Sequence, residues 1–206
     1  GGWQLIVAKV SACTNPCPAI ITAYGETAKT QIALAKEYRA EFKAFDDERK
    51  SFNKISDEIY TKYGDYDFSY SGKENCALMK QQETFISRSA EEYKKFDSYI
   101  TASREKIARM KIEMKGRNQD QLNKIIVAYN EYIKYVTEYN LFDDEYEKKF
   151  NELLKKECAG GDIKTDSKQW EEANETKGTE ISNALEKALD DFEKLYPSIK
   201  GEIFRA

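Results

Sequence analysis

The chain has 206 residues, with 37 acids against 33 bases, a net charge of −4 and no His. That length suffices for one domain with a substantial core, and the bases are interleaved with acids, which excludes a nucleic-acid footprint. The lack of His removes the commonest general base and metal ligand and rules out the Glu-x-x-His pairs of di-iron bundles.

Charged residues make up 34% of the chain and only three residues are Pro, a composition typical of long packed helices. The most apolar segment, Trp3 to Val10, is too short for a membrane span. Val10-Ser11-Ala12-Cys13 has the small residues of a lipoprotein cleavage site, but Lys9 is misplaced for one. The expected reading of residues 1–17 is an apolar strand or helical turn packed on a helical domain, followed by a Cys-Pro segment. Pro16 and Pro18 bar a helix there, because the residue before a proline is pushed out of the α region.

From Pro18 to Tyr63 the sequence predicts one helix. Ile21, Tyr24, Ala28, Gln31, Ala35, Tyr38, Phe42, Phe45, Arg49, Phe52, Ser56, Ile59 and Tyr63 fall on a single stripe, with charged residues between. Gly64 is its expected stop. A loop follows over 64–75, then a helix over 76–115 with seam residues from Ile86 to Met114. Gly116 and Asn118 read as a stop and a new N-cap, opening a helix over 118–157. Ala159-Gly160-Gly161 ends it. A last helix over 167–196, capped by Asp166 or Ser167, should stop before Pro197. The predicted fold is all-α: one elongated antiparallel bundle of four helices, up-down-up-down, spanning residues 1–206. A three-helix rod crossed by the last helix is the alternative.

On this topology Cys76 and Cys158 fall at one end of the bundle and Cys13 and Cys17 at the other. Of the three possible pairings, only Cys13–Cys17 with Cys76–Cys158 avoids linking opposite ends. Two disulfides imply an oxidising, extracellular compartment and disfavour a zinc site. Asn174-Glu175-Thr176 is a glycosylation sequon, in keeping with secretion.

The loop Asp65-Tyr66-Asp67-Phe68-Ser69-Tyr70 carries the most chemical character outside the helices. Its aromatics either cap the bundle end or form an exposed acidic and aromatic binding tip, with Asp65, Tyr66, Asp67, Phe68 and Tyr70 as contacts. Tyr66 between two acids suits sulfation. As a calcium loop the stretch fails, since Tyr70 stands where Gly is needed and Cys76 where Glu is needed. The Tyr-rich run from Tyr129 to Tyr146 is expected in the core, with Tyr135 off the seam. Asp46-Asp47-Glu48, Asp143-Asp144-Glu145 and Asp190-Asp191 are expected on solvated faces. No Gly-x-Ser-x-Gly elbow or phosphate loop is present.

The sequence therefore points to a non-enzymatic extracellular protein with no cofactor and no metal. It would bind a protein partner through a bundle end or helix face. Two alternatives stand beside it: a carrier of a small hydrophobic ligand between the helices, and a structural subunit assembling through Trp3–Val10.

Overall fold

A computed structural model describes residues 2–13, 17–64 and 72–201. Among the described residues the regular structure is entirely helical: α1 (Gly2–Ser11), α2 (Ala19–Tyr63), α3 (Gly72–Glu113), α4 (Arg117–Cys158) and α5 (Lys164–Gly201). The four long helices are those the apolar stripes predict, and α1 is one more. Pro18 lies just outside α2, and its carbonyl accepts from the amides of Ile21 and Thr22.

The turns follow from their glycines. Gly116, at φ +65°, ends α3, and Gly160, at φ +87°, ends α4. Both lie in the left-handed region where only glycine avoids a steric penalty. After α4 the amide of Gly160 bonds to the carbonyl of Glu157, and that of Gly161 to Lys156. This is the Schellman pairing, which satisfies the orphan carbonyls of the last turn.

Two boundaries of the last helix differ from expectation. α5 begins three residues earlier than predicted, because Asp162 acts as the cap: its Oδ1 accepts from the amide of Lys164 at 2.9 Å. Asp166, one of the two predicted caps, instead pairs with Lys156 at 2.8 Å. At the other end α5 passes Pro197 and continues to Gly201. Proline removes one ladder bond and crowds one carbonyl, which a long helix can absorb without ending.

The described residues pack as two compact units. The first lies within Gly1–Asp47, Ile100–Asn130 and Asp190–Ala206; the second within Glu48–Tyr99 and Glu131–Leu189. In the first unit α2 and α3 run antiparallel: Tyr38 meets Ile107, and Gln31 meets the end of α3 at Glu113. Gln31, 2% exposed, donates to the Glu113 carbonyl at 2.8 Å and accepts from the Lys115 amide at 2.9 Å. A buried side chain of α2 thus satisfies the polar groups of the turn that starts α4. The core of this unit is aromatic. Phe42, Phe45, Tyr129 and Phe192 are all buried, with Phe45 edge-on to Tyr129 at 4.8 Å and to Phe192 at 5.6 Å. Each such ring contributes about 2–3 kcal/mol by burial, and edge-to-face pairs add to that.

The second unit alternates helix direction at every step. Phe52 stacks on Phe96 and Tyr60 meets Phe85 across α2 and α3. Tyr93 meets Asp143 across α3 and α4, and Tyr146 meets Trp170 across α4 and α5. Its sealed core comes mainly from α3 and α4, including Phe96, Ile133, Phe150 and Leu154, and α5 adds Ala188. The α2 stripe here is only half-buried at Phe52, Ser56, Ile59 and Tyr63.

Candidate functional site

Both disulfides have the pairing expected from the topology: Cys13–Cys17 and Cys76–Cys158, with Cα–Cα distances of 5.7 and 5.3 Å. The second joins the start of α3 to the last residue of α4. The predicted contacts Asp65, Tyr66, Asp67, Phe68 and Tyr70 lie outside the described residues. The helix ends flanking them, at Tyr63 and Gly72, belong to the unit that this disulfide staples.

The acid clusters are not uniformly solvated. Asp46 is buried, and so is Glu147, while Asp143 is half-buried and Asp47 and Asp144 face solvent. This corrects the expected surface reading for Asp46 and Asp143. Val136, Asp143 and Phe150 are spaced by seven, so the carboxylate occupies a seam position. Glu147 has the same relation to Leu154.

Around them lies a polar layer. Tyr93 Oη donates to Asp143 Oδ2 at 3.2 Å, and the fully buried Gln82 donates through Nε2 to Glu147 Oε2. Burial raises the Asp143 carboxyl, the Tyr93 bond opposes that, and Asp144 adds to it. Burial, then Asp143, pushes the phenols of Tyr93 and Tyr139 upward. The layer is an internal polar network between α3 and α4 in which Gln82 donates its amide hydrogen to Glu147 while its Oε1 has no hydrogen-bond partner among the described residues. No group of three or more His, Cys, Asp or Glu among the described residues could hold a metal ion.

Asn174 is half-buried on α5, and its Nδ2, the atom a glycan would occupy, donates to the Trp170 carbonyl at 2.7 Å. It lines an open cleft of about 530 Å³ between α4 and α5, floored by Phe142 and Tyr146. A second recess of about 400 Å³ in the first unit lies between α3 and α4. Ile107, Ala108, Ile126 and Tyr129 line it, with Arg104 and Lys111 among its other walls. Tyr135, expected off the seam, is half-buried, with the Lys134 ammonium 4.7 Å from its ring.

Exposed apolar surface also lies at the start of the chain. α1 reads Gly-Trp-Gln-Leu-Ile-Val-Ala-Lys-Val-Ser and buries none of its residues. Trp3, Ile6, Val7 and Val10, on one helical face, are half-buried, and Val10 packs where Gly25 of α2 has no side chain: a Cβ there would lie 2.8 Å from Val10 Cγ1. Tyr24, predicted to face inward, is 58% exposed for this reason, since the adjacent Gly25 takes the buried position. Leu5 at 63% and Ile20 at 66% are exposed in the same unit. Among the described residues no helix is long and apolar enough to cross a membrane. No family model, curated protein or solved structure matches the chain.

Proposed function

We propose that this chain is a secreted, non-enzymatic interaction protein that binds a protein partner through a helix face. The observation that carries the reading is α1. An apolar helix with no fully buried residue, and with Leu5 63% exposed, keeps apolar surface available to a partner. The contact surface is the face made by α1 and the start of α2, with Leu5, Ile20 and Tyr24 as anchors. Large exposed side chains of this kind supply the centre of interfaces. The loop 65–70 is the second proposed contact. Two disulfides and a sequon suit an oxidising compartment.

The test uses the full oxidised chain, immobilised and exposed to extracellular material from its natural source. The wild type should retain a specific partner. Leu5→Glu with Ile20→Glu, or Tyr66→Ala with Phe68→Ala and Tyr70→Ala, should release it. If neither set releases the partner, both contact assignments are wrong.

The recess of the first unit supports a second reading, a carrier of a small ligand with an apolar body. Its floor of Ile107, Ala108, Ile126 and Tyr129 has the size and apolarity of small-molecule sites. Native mass spectrometry of protein from its source should then show added mass that is lost on denaturation, and Ala108→Trp should abolish it.

A further inference from the structure

The cleft between α4 and α5 plays no part in either reading, yet its chemistry is specific. Phe142 and Tyr146 stand four residues apart on α4, which places both rings on one face. Trp170 lies against Tyr146 with centroids 4.4 Å apart. Opposite Phe142 stands Gly178, where an added Cβ would lie 3.1 Å from the ring. The glycine therefore lets the α5 backbone approach the Phe142 ring closely, inside a helix where alanine would otherwise be preferred. The rim carries Glu171 and Glu175, with Asn174 and Asn183 between and beyond them.

Two independent observations give the charge of what fits. The ammonium of Lys177 sits 5.6 Å from the Phe142 ring centroid, so a cation of the chain itself already uses this aromatic face. The floor also lies in a negative field: after burial, Glu171 is the leading influence that raises the Tyr146 phenol, followed by Glu147 and Asp143. Aromatic faces beside carboxylates recognise organic cations, because the ring quadrupole and the acid act together. The volume, about 530 Å³, is in the range of small-molecule pockets.

We propose that this cleft binds an alkylammonium group, with its carbon substituents on Phe142 and Tyr146 and its charge toward Glu171 and Glu175. A free amine and a lysine side chain of a partner share this chemistry. Lys177 is the internal competitor, and its removal opens the Phe142 face.

The chain has two tryptophans, Trp3 and Trp170, so in a Trp3→Phe background the fluorescence of Trp170 reports the cleft alone. Choline should give a saturable change, and 3,3-dimethylbutan-1-ol, its neutral isostere, a response at least about tenfold weaker. Glu171→Gln with Glu175→Gln should weaken choline binding about tenfold while the helical circular dichroism is unchanged. Lys177→Gln should tighten it. Acetyl-lysine-amide with a free side-chain amine separates the two sources: tighter binding than choline assigns the site to a partner's lysine, weaker binding to a free amine. Equal responses to choline and its isostere, or a response unmoved by the two Gln substitutions, would overturn the proposal. Because the cleft contains neither α1 nor the loop 65–70, the result is independent of the proposed partner contacts.

Discussion

Replacing Cys76 and Cys158 by Ser removes the bridge with a sequence separation of 82. On the chain-entropy model, closing a loop of that length destabilises the unfolded ensemble by about 4.5 kcal/mol. The Cys13–Cys17 bridge, with a separation of 4, is worth about 2 kcal/mol on the same model. For a chain of this size the larger loss lowers the melting temperature by roughly 10 °C or more. Urea titrations of the two double-Ser variants and the wild type, all without reductant, measure both losses. The long bridge should cost more than twice the short one, and dithiothreitol should bring the wild type down by their sum. Similar losses for the two pairs, or a loss below about 1 kcal/mol for Cys76→Ser with Cys158→Ser, would refute the loop-entropy argument. The same numbers say why the compartment matters: in a reducing environment the chain forgoes stabilisation comparable to the whole stability of many domains.

Asp143→Asn should raise stability at neutral pH. A carboxyl whose folded pKa is raised adds stability that is complete below its unfolded value, near about 4, and lost as pH rises through the folded value. The variant's advantage in urea midpoint should therefore be largest at pH 7 and vanish toward pH 3, with Asn still accepting from Tyr93. Phe192→Ala, which empties a site touching Phe42, Phe45 and Tyr129, should cost about 3–5 kcal/mol in the same titration. Gly25→Val should push Val10 away and free α1, read as faster tryptic cleavage after Lys9 with little change in global melting; unchanged cleavage would mean that α1 does not depend on this contact. Glycosylation of Asn174 should occur only during synthesis, since the folded chain commits Nδ2 to the Trp170 carbonyl. Expression in a glycosylating cell should add a mass that Asn174→Gln removes, and transferase added to folded protein should not.

The helices and the disulfides were legible because both depend on information that is local or topological. Stripes at 3.5-residue spacing declare long helices, glycines at 116 and 160 declare their ends, and antiparallel order then leaves one cysteine pairing. The N-terminal seam was misread at Tyr24, because a glycine is invisible to an apolar stripe although its missing side chain is what lets α1 approach. The polar layer was missed for a different reason. Residue type there conflicts with register: Asp143 reads as a surface acid, and Glu147 carries no sequence signal of its own, although each stands seven residues from a buried apolar position. The same holds on α5, where Asn174 and Gly178 continue the inward spacing from Trp170 to Ile181 while the apolar Ala173 faces solvent. Positions where register says inside and chemistry says outside are where a helical protein departs from simple packing. In this chain those positions line the polar layer of the second unit and the cleft beside it, and the cleft is where the aromatic floor and the acidic rim come together.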